Sequence, residues 1–190
     1  MSSDNIRLAS LGLGWWSDVL ADAVLRAPGV EIASCYSRSE EKRKTFAKKY
    51  NCDAANSYEE ILNDTHIDGI INTTPNNVHL ETTSQAAAAG KHVFLDKPIA
   101  NSVAEGMEIT KICKEAGIKL SIGFQRRREN QFRWINKTIQ DGIFGVLVQA
   151  EANISRDRLG TFEAGHWRYS SEGMPGGVML QIVPHYVDVL

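Results

Sequence analysis

Cysteine is scarce: Cys35, Cys52 and Cys113 are the three in 190 residues, with no CxxC pair and no histidine-rich spacing beside them. An odd, scattered set disfavours a disulfide framework or a zinc site, so no metal is expected and a reducing, cytoplasmic compartment fits. Long apolar runs are also missing. Stretches such as 69–71 or 146–148 fall far short of the roughly 20 residues a membrane helix needs, and the opening MSSDNIR has no basic region leading into an apolar signal core. Nor does one sign of charge dominate. Lys and Arg total 21 against 23 Asp and Glu, a formal net charge of −2, so no global basic field invites nucleic acid or an anionic membrane. What is present is an ordinary globular composition, 43% hydrophobic and 23% charged, sufficient for a packed core.

Between residues 6 and 122 short β-branched runs alternate with helical patterns, the signature of βαβ units around a parallel sheet. Strands are expected at 6–11, 30–36, 68–73, 92–95 and 119–122. Helices are expected at 17–26, 40–50, 58–62, 78–89 and 103–116. Ser57 with Glu60, and Ser102 with Glu105, have capping-box spacing, while Gly90 and Gly117 suit helix exits. The pattern changes near residue 123, which divides a domain at 1–123 from a second at 124–190. In the latter an amphipathic helix is expected at 130–140, a strand at 146–154, a long loop at 155–176 and a helix over 177–190.

Gly12 and Gly14 lie in a GxGxxS segment between the first strand and its helix, followed by Trp15, Trp16 and Ser17. The first glycine permits a tight turn, and the second lets backbone approach a pyrophosphate at the helix N-terminus. This reads as a Rossmann-type, doubly wound dinucleotide-binding fold. A residue ending the second strand chooses between cofactors, an acid there holding the ribose hydroxyls of NAD. The chain instead has Ser37 and Arg38. A guanidinium can hold a 2′-phosphate, so NADP is favoured over NAD; the other reading of Arg38 is an exposed loop residue.

Further on stand Thr74-Pro75-Asn76-Asn77-Val78-His79 and Ala89-Gly90-Lys91-His92-Val93-Phe94-Leu95-Asp96-Lys97-Pro98. This TPxxxH and AGKHVxxEKP pair, in this order after GxGxx, resembles the glucose-fructose oxidoreductase, inositol dehydrogenase and MocA (Gfo/Idh/MocA) family, with Asp96 where the family usually has glutamate. The resemblance extends through Gly123-Phe124-Gln125-Arg126-Arg127 to Trp167-Arg168 and Gly176-Gly177. It implies a Rossmann domain followed by an α/β substrate domain with an open sheet. It also implies that Lys97 reaches the reacting centre through a cis Lys97–Pro98 bond, and that Thr74, Pro75, Asn76, His79, Asp96, Gln125, Trp167 and Arg168 line the cofactor. His79 could instead be a helix-start histidine without a ligand, and Trp167-Arg168 a loop anchor.

The family's GGGxLxDxGxH signature is only partly kept. His185 is present, but Gln181 stands at the aspartate and Val183 at the last glycine. Glutamine can hydrogen-bond a polyol but cannot take a proton. Lys97, Gln181 and His185 are therefore the expected substrate contacts, with Lys97 and His185 catalytic. The resemblance implies hydride transfer between NAD(P) and a secondary alcohol or carbonyl of a sugar, polyol or cyclic diol. A cofactor-binding regulator without turnover is the alternative. Family members continue into a larger sheet, so residues 124–190 are expected to be an incomplete substrate domain that exposes apolar surface from Ile143 onward, and the full-length protein to form homo-oligomers through that sheet.

Overall fold

The computed structural model describes residues 5–155 and 165–190. Six strands, β1 (Ile6–Leu11), β2 (Val30–Tyr36), β3 (Asp53–Ala54), β4 (Gly69–Asn72), β5 (His92–Leu95) and β6 (Leu120–Ile122), form one sheet of order β3-β2-β1-β4-β5-β6. Every neighbouring pair is parallel. Helices α1 (Trp15–Val24), α2 (Glu40–Tyr50), α3 (Tyr58–Asn63), α4 (His79–Ala88) and α5 (Val103–Glu115) connect the strands. This is the Rossmann order. The chain winds outward from β1 in one direction and from β4 in the other, so a crevice opens beyond the C-terminal ends of these two central strands.

Apolar residues cover both faces of the sheet, as a parallel sheet between helices requires. One core gathers Ala9, Ile70, Val93 and Leu95 with Ile61 of α3, Ala86 of α4 and Ile109 of α5. The other gathers Ile32, Cys35 and Ile71 with Ala21 of α1 and Phe46 and Tyr50 of α2. Adjacent Ile70 and Ile71 thus serve opposite faces, following the period-two alternation of a strand. Burying each such side chain stabilises the fold by about 1.5–3 kcal/mol. β2 carries one extra residue against β1: Leu8 pairs with Ile32 but Ala9 with Ser34, leaving Ala33 as a bulge.

Local chemistry sets the helix ends. Ser39, Ser57 and Ser102 each accept a hydrogen bond from the backbone N–H three residues on, which satisfies a donor the helix leaves open. At α1 the helix begins at Trp15, before the expected 17, because Gly14 holds the cap position and Ser17 Oγ turns back to donate to the Gly14 carbonyl at 2.6 Å. The two-residue β3 has no periodicity to announce it; Ala55 N–H donates to the Cys35 carbonyl beside it.

The chain divides into two compact units, Met1–Gly123 and Phe124–Leu190. In the second, α6 (Asn130–Gln140) is followed by α7 (Val178–Gln181) and α8 (Val183–Val187), with 3-10 turns at Gln125–Arg128 and Trp167–Tyr169. Two expectations are corrected here. Residues 146–154 form no strand: a strand needs a ladder partner, and none is present among the described residues of this unit, where Val146 and Val148 are 88% and 94% exposed. The helix expected over 177–190 is broken at Ile182, since Pro184 has no N–H to continue it. Part of the long loop expected at 155–176, residues 156–164, lies outside the described residues. Among those described, no helix is long and apolar enough to cross a membrane.

Candidate cofactor and catalytic site

The turn after β1 is built around Gly12. Its N–H donates to the Tyr36 carbonyl at 3.0 Å, its φ is +84°, and a Cβ there would lie 2.8 Å from Thr74 N and 2.9 Å from the Thr73 carbonyl carbon. Both the left-handed backbone and the close approach demand glycine. Thr73 Oγ1 closes the contact by donating to the Gly12 carbonyl at 2.5 Å. Gly14 differs: its backbone is extended, no side chain caps α1 there, and a Cβ would meet nothing within 4 Å. The mouth of this ten-residue helix is therefore open, with backbone N–H groups and the positive end of its dipole facing outward. Asp18, the acidic residue of the first turn, is engaged by Lys49 at 3.1 Å and the Tyr50 hydroxyl at 2.9 Å. Trp15 (64% exposed) and Trp16 stand edge to face beside the mouth. This crowded glycine below an open helix mouth fits a dinucleotide pyrophosphate.

At the end of β2, Tyr36 is followed by Ser37 and exposed Arg38, with no carboxylate in the segment. Arg43, which sequence reasoning missed, completes the corner. Its Nη1 donates to the Ser37 carbonyl at 2.7 Å, and its guanidinium lies 5.6 Å from the centre of the Tyr36 ring. The signal was available: once Ser39 caps α2, a residue four positions on shares its face of the helix.

The loops after β4 and β5 form the third part. Asn72, 1% exposed, ends β4. Its Oδ1 accepts from Thr74 N at 3.1 Å and Thr74 Oγ1 at 2.7 Å, while its Nδ2 donates to Thr82 Oγ1 at 2.8 Å. Pro75 and a 3-10 turn, Asn76–Val78, then lead into α4. The backbone of Asp96 donates to the Asn72 carbonyl, Lys97 is half-buried and the Lys97–Pro98 bond is cis. His79 joins these two loops. Its ring is fully buried, with Nε2 3.0 Å from the Thr74 carbonyl and Nδ1 3.1 Å and 3.3 Å from the carbonyls of Pro98 and Ile99. Burial holds its pKa below the ordinary histidine value, against the opposing pull of the carbonyls and the Asp96 charge. The ring is thus spent on the protein's own backbone. Asn76 Nδ2 adds a second bridge, donating to Asn101 Oδ1 at 3.2 Å.

Of the expected site residues, Gly12, Gly14, Thr74, Pro75, Asn76, His79, Asp96 and Lys97 gather at the C-terminal ends of β1, β4 and β5, with Ser37 and Arg38 at the end of β2 beside them. In the second unit Gln125 is exposed, and the Arg168 guanidinium lies 4.4 Å from the centre of the Trp167 ring. Gln181 Nε2 donates to the Arg168 carbonyl at 3.4 Å, joining α7 to that turn. His185 on α8 is buried, with Phe124 edge-on at 6.3 Å. Arg127 makes a two-pronged pair with Asp188 at 2.6 Å and 2.5 Å, fixing the far end of α8.

Known proteins share this fold. Over 188 residues the chain is 30% identical to YdgJ, an uncharacterized oxidoreductase of Escherichia coli (strain K12), a match covering 98% of this chain and 53% of YdgJ. It is also 30% identical to the scyllo-inositol 2-dehydrogenase (NADP(+)) IolW of Bacillus subtilis (strain 168), covering 97% of this chain and 51% of IolW. The chain spans about half the length of these curated relatives. Among solved structures, an oxidoreductase of Desulfitobacterium hafniense, assigned as NADPH-dependent, superimposes with a TM-score of 0.91 at 34% identity, over 97% of this chain and 54% of that one. The WlbA dehydrogenase of Bordetella pertussis, solved with NADH and UDP-GlcNAcA, does so with a TM-score of 0.85 at 26% identity, over 100% of this chain and 55% of that one. A family model described as oxidoreductase family, NAD-binding Rossmann fold, matches residues 6–124, and the chain belongs to that family, Gfo/Idh/MocA.

Proposed function

We propose that the protein is an NADP-preferring oxidoreductase that transfers hydride between nicotinamide and a secondary alcohol, or the corresponding carbonyl, of a sugar, polyol or cyclic diol. The observation that carries this reading is the meeting of the Lys97 loop with the Thr74 turn and the glycine turn at the strand ends around the β1/β4 crevice. Nicotinamide, when bound, supplies or accepts the hydride. Gly14 and the mouth of α1 hold the pyrophosphate, and Thr74, Pro75 and Asn76 face the ribose and nicotinamide half, with Asp96, Gln125, Trp167 and Arg168 as further contacts. Lys97, an ammonium in a half-buried loop, stabilises negative charge developing on the substrate oxygen. His185 takes the hydroxyl proton in the oxidative direction. Gln181 orients the substrate through hydrogen bonds without exchanging a proton.

The NADP preference rests on Arg38 and on the missing carboxylate after β2. The relatives named above are oxidoreductases, which does not favour a regulator without turnover. Homo-oligomerisation belongs to the same proposal for the whole protein. The deciding experiment follows nicotinamide absorbance over a panel of sugars, inositols and diols, with Lys97→Ala as control. Turnover is expected on at least one polyol, with kcat falling about a hundredfold or more in the variant while cofactor affinity stays near the wild-type value. Tight cofactor binding with no turnover on any substrate would sink the enzymatic reading.

A further inference from the structure

We propose that His79 is a positioning residue, a buried latch through which occupation of the Thr74 turn by cofactor is transmitted to Lys97. The inference rests on the functional reading of Thr74 and Lys97 given above, and its geometry stands apart from that reading. A histidine buried only to fill space would take whatever partners lie nearest. Here one rigid ring faces the carbonyls of the two loops that end β4 and β5, Thr74 O on one nitrogen and Pro98 O with Ile99 O on the other. Water does not reach it, and the neutral ring has one N–H to give. Displacing the loop whose carbonyl accepts it would leave donor and acceptor without a replacement partner, while the other loop is held by packing against the ring.

Neither end of the latch is loose. Asn72 grips Thr74 through both its backbone N–H and its hydroxyl, and Asp96, one residue before Lys97, is tied to the Asn72 carbonyl. The Asn76–Asn101 bond runs across the same seam. Movement of the Thr74 turn is thereby passed to the Pro98 side through the imidazole.

The two arms can be cut separately. An asparagine amide stands close to the place of Nδ1, and a glutamine amide close to that of Nε2. His79→Gln therefore keeps the Thr74 contact and gives up the Pro98 contact, and His79→Asn does the reverse. Three quantities are measured in each variant and in the wild type: amide hydrogen exchange, NADP affinity, and the rate of Lys97 acetylation by an N-hydroxysuccinimide ester with and without NADP. In the wild type, NADP is expected to slow Lys97 acetylation by about tenfold. In His79→Gln, NADP affinity holds within about threefold, exchange at 99–102 rises, and protection of Lys97 by NADP is largely lost. In His79→Asn, exchange rises at 74–78 and NADP affinity falls.

Full protection of Lys97 in His79→Gln, or wild-type exchange in both variants, would overturn the latch. If wild-type protein fails to bind NADP, the functional reading falls, and the exchange pattern of the cofactor-free variants still decides the latch. Should neither variant fold, 15N resonances of the His79 ring in unaltered protein serve instead. A slowly exchanging imidazole N–H is expected, and one exchanging at the rate of a solvent-exposed ring would overturn the proposal.

Discussion

At Arg38 and Arg43 two guanidiniums flank the end of β2 but are held differently. Arg43 is tied to the Ser37 carbonyl and laid near Tyr36, whereas Arg38 is exposed. That leaves Arg38 available to a 2′-phosphate, with Arg43 fixing the corner it springs from. Arg38→Ala is expected to weaken NADP binding by about tenfold and NAD binding far less, the size of one lost charge-assisted hydrogen bond. Equal losses for the two cofactors, measured by titration calorimetry, would remove the phosphate role from Arg38. The positions of Gly12, Arg38 and Lys97 at strand ends were legible, those of Gly12 and Arg38 from their offset along the chain and that of Lys97 from the family resemblance. Asn72 and Arg43 were not, since a strand-terminal asparagine or a helical arginine reveals its partners only once the chain has folded back.

Among the elements, those whose boundaries are chemical were read best. α2 starts where Ser39 can cap it and stops at Asn51, whose φ of +52° is left-handed. Replacing Ser39 by alanine is expected to cost about 1 kcal/mol of stability, as removal of an N-cap usually does. Urea unfolding would show this as a lower midpoint at unchanged slope, and an unchanged midpoint would mean that the bond from Lys42 N–H contributes nothing. Elements whose existence depends on distant partners were read worst. Residues 146–154 alternate as a strand should, yet alternation supplies only a face, and a ladder needs a neighbour. The stretch over 177–190 has helical composition but carries Pro184 inside it, and the backbone obeys the proline.

Over the whole molecule, stability is expected to be uneven. Met1–Gly123 holds two apolar cores with side chains such as Ile61, Ile70, Leu95 and Ile109 withdrawn from water, while Ile143, Phe144, Val146, Leu147 and Val148 in the other unit are exposed. Amides of β1, β4 and β5 should therefore exchange with solvent orders of magnitude more slowly than those of α6 and α8. Comparable protection in both units, measured by mass spectrometry, would contradict this. The glycine turn has a consequence of another kind, for how the sequence can drift. Gly12 is policed by the protein's own backbone at Thr73 and Thr74, whether or not anything is bound, whereas nothing in the fold presses on position 14. Selection for folding alone would hold the first glycine and release the second. Only a lineage that still needs what docks at that helix mouth has reason to keep both.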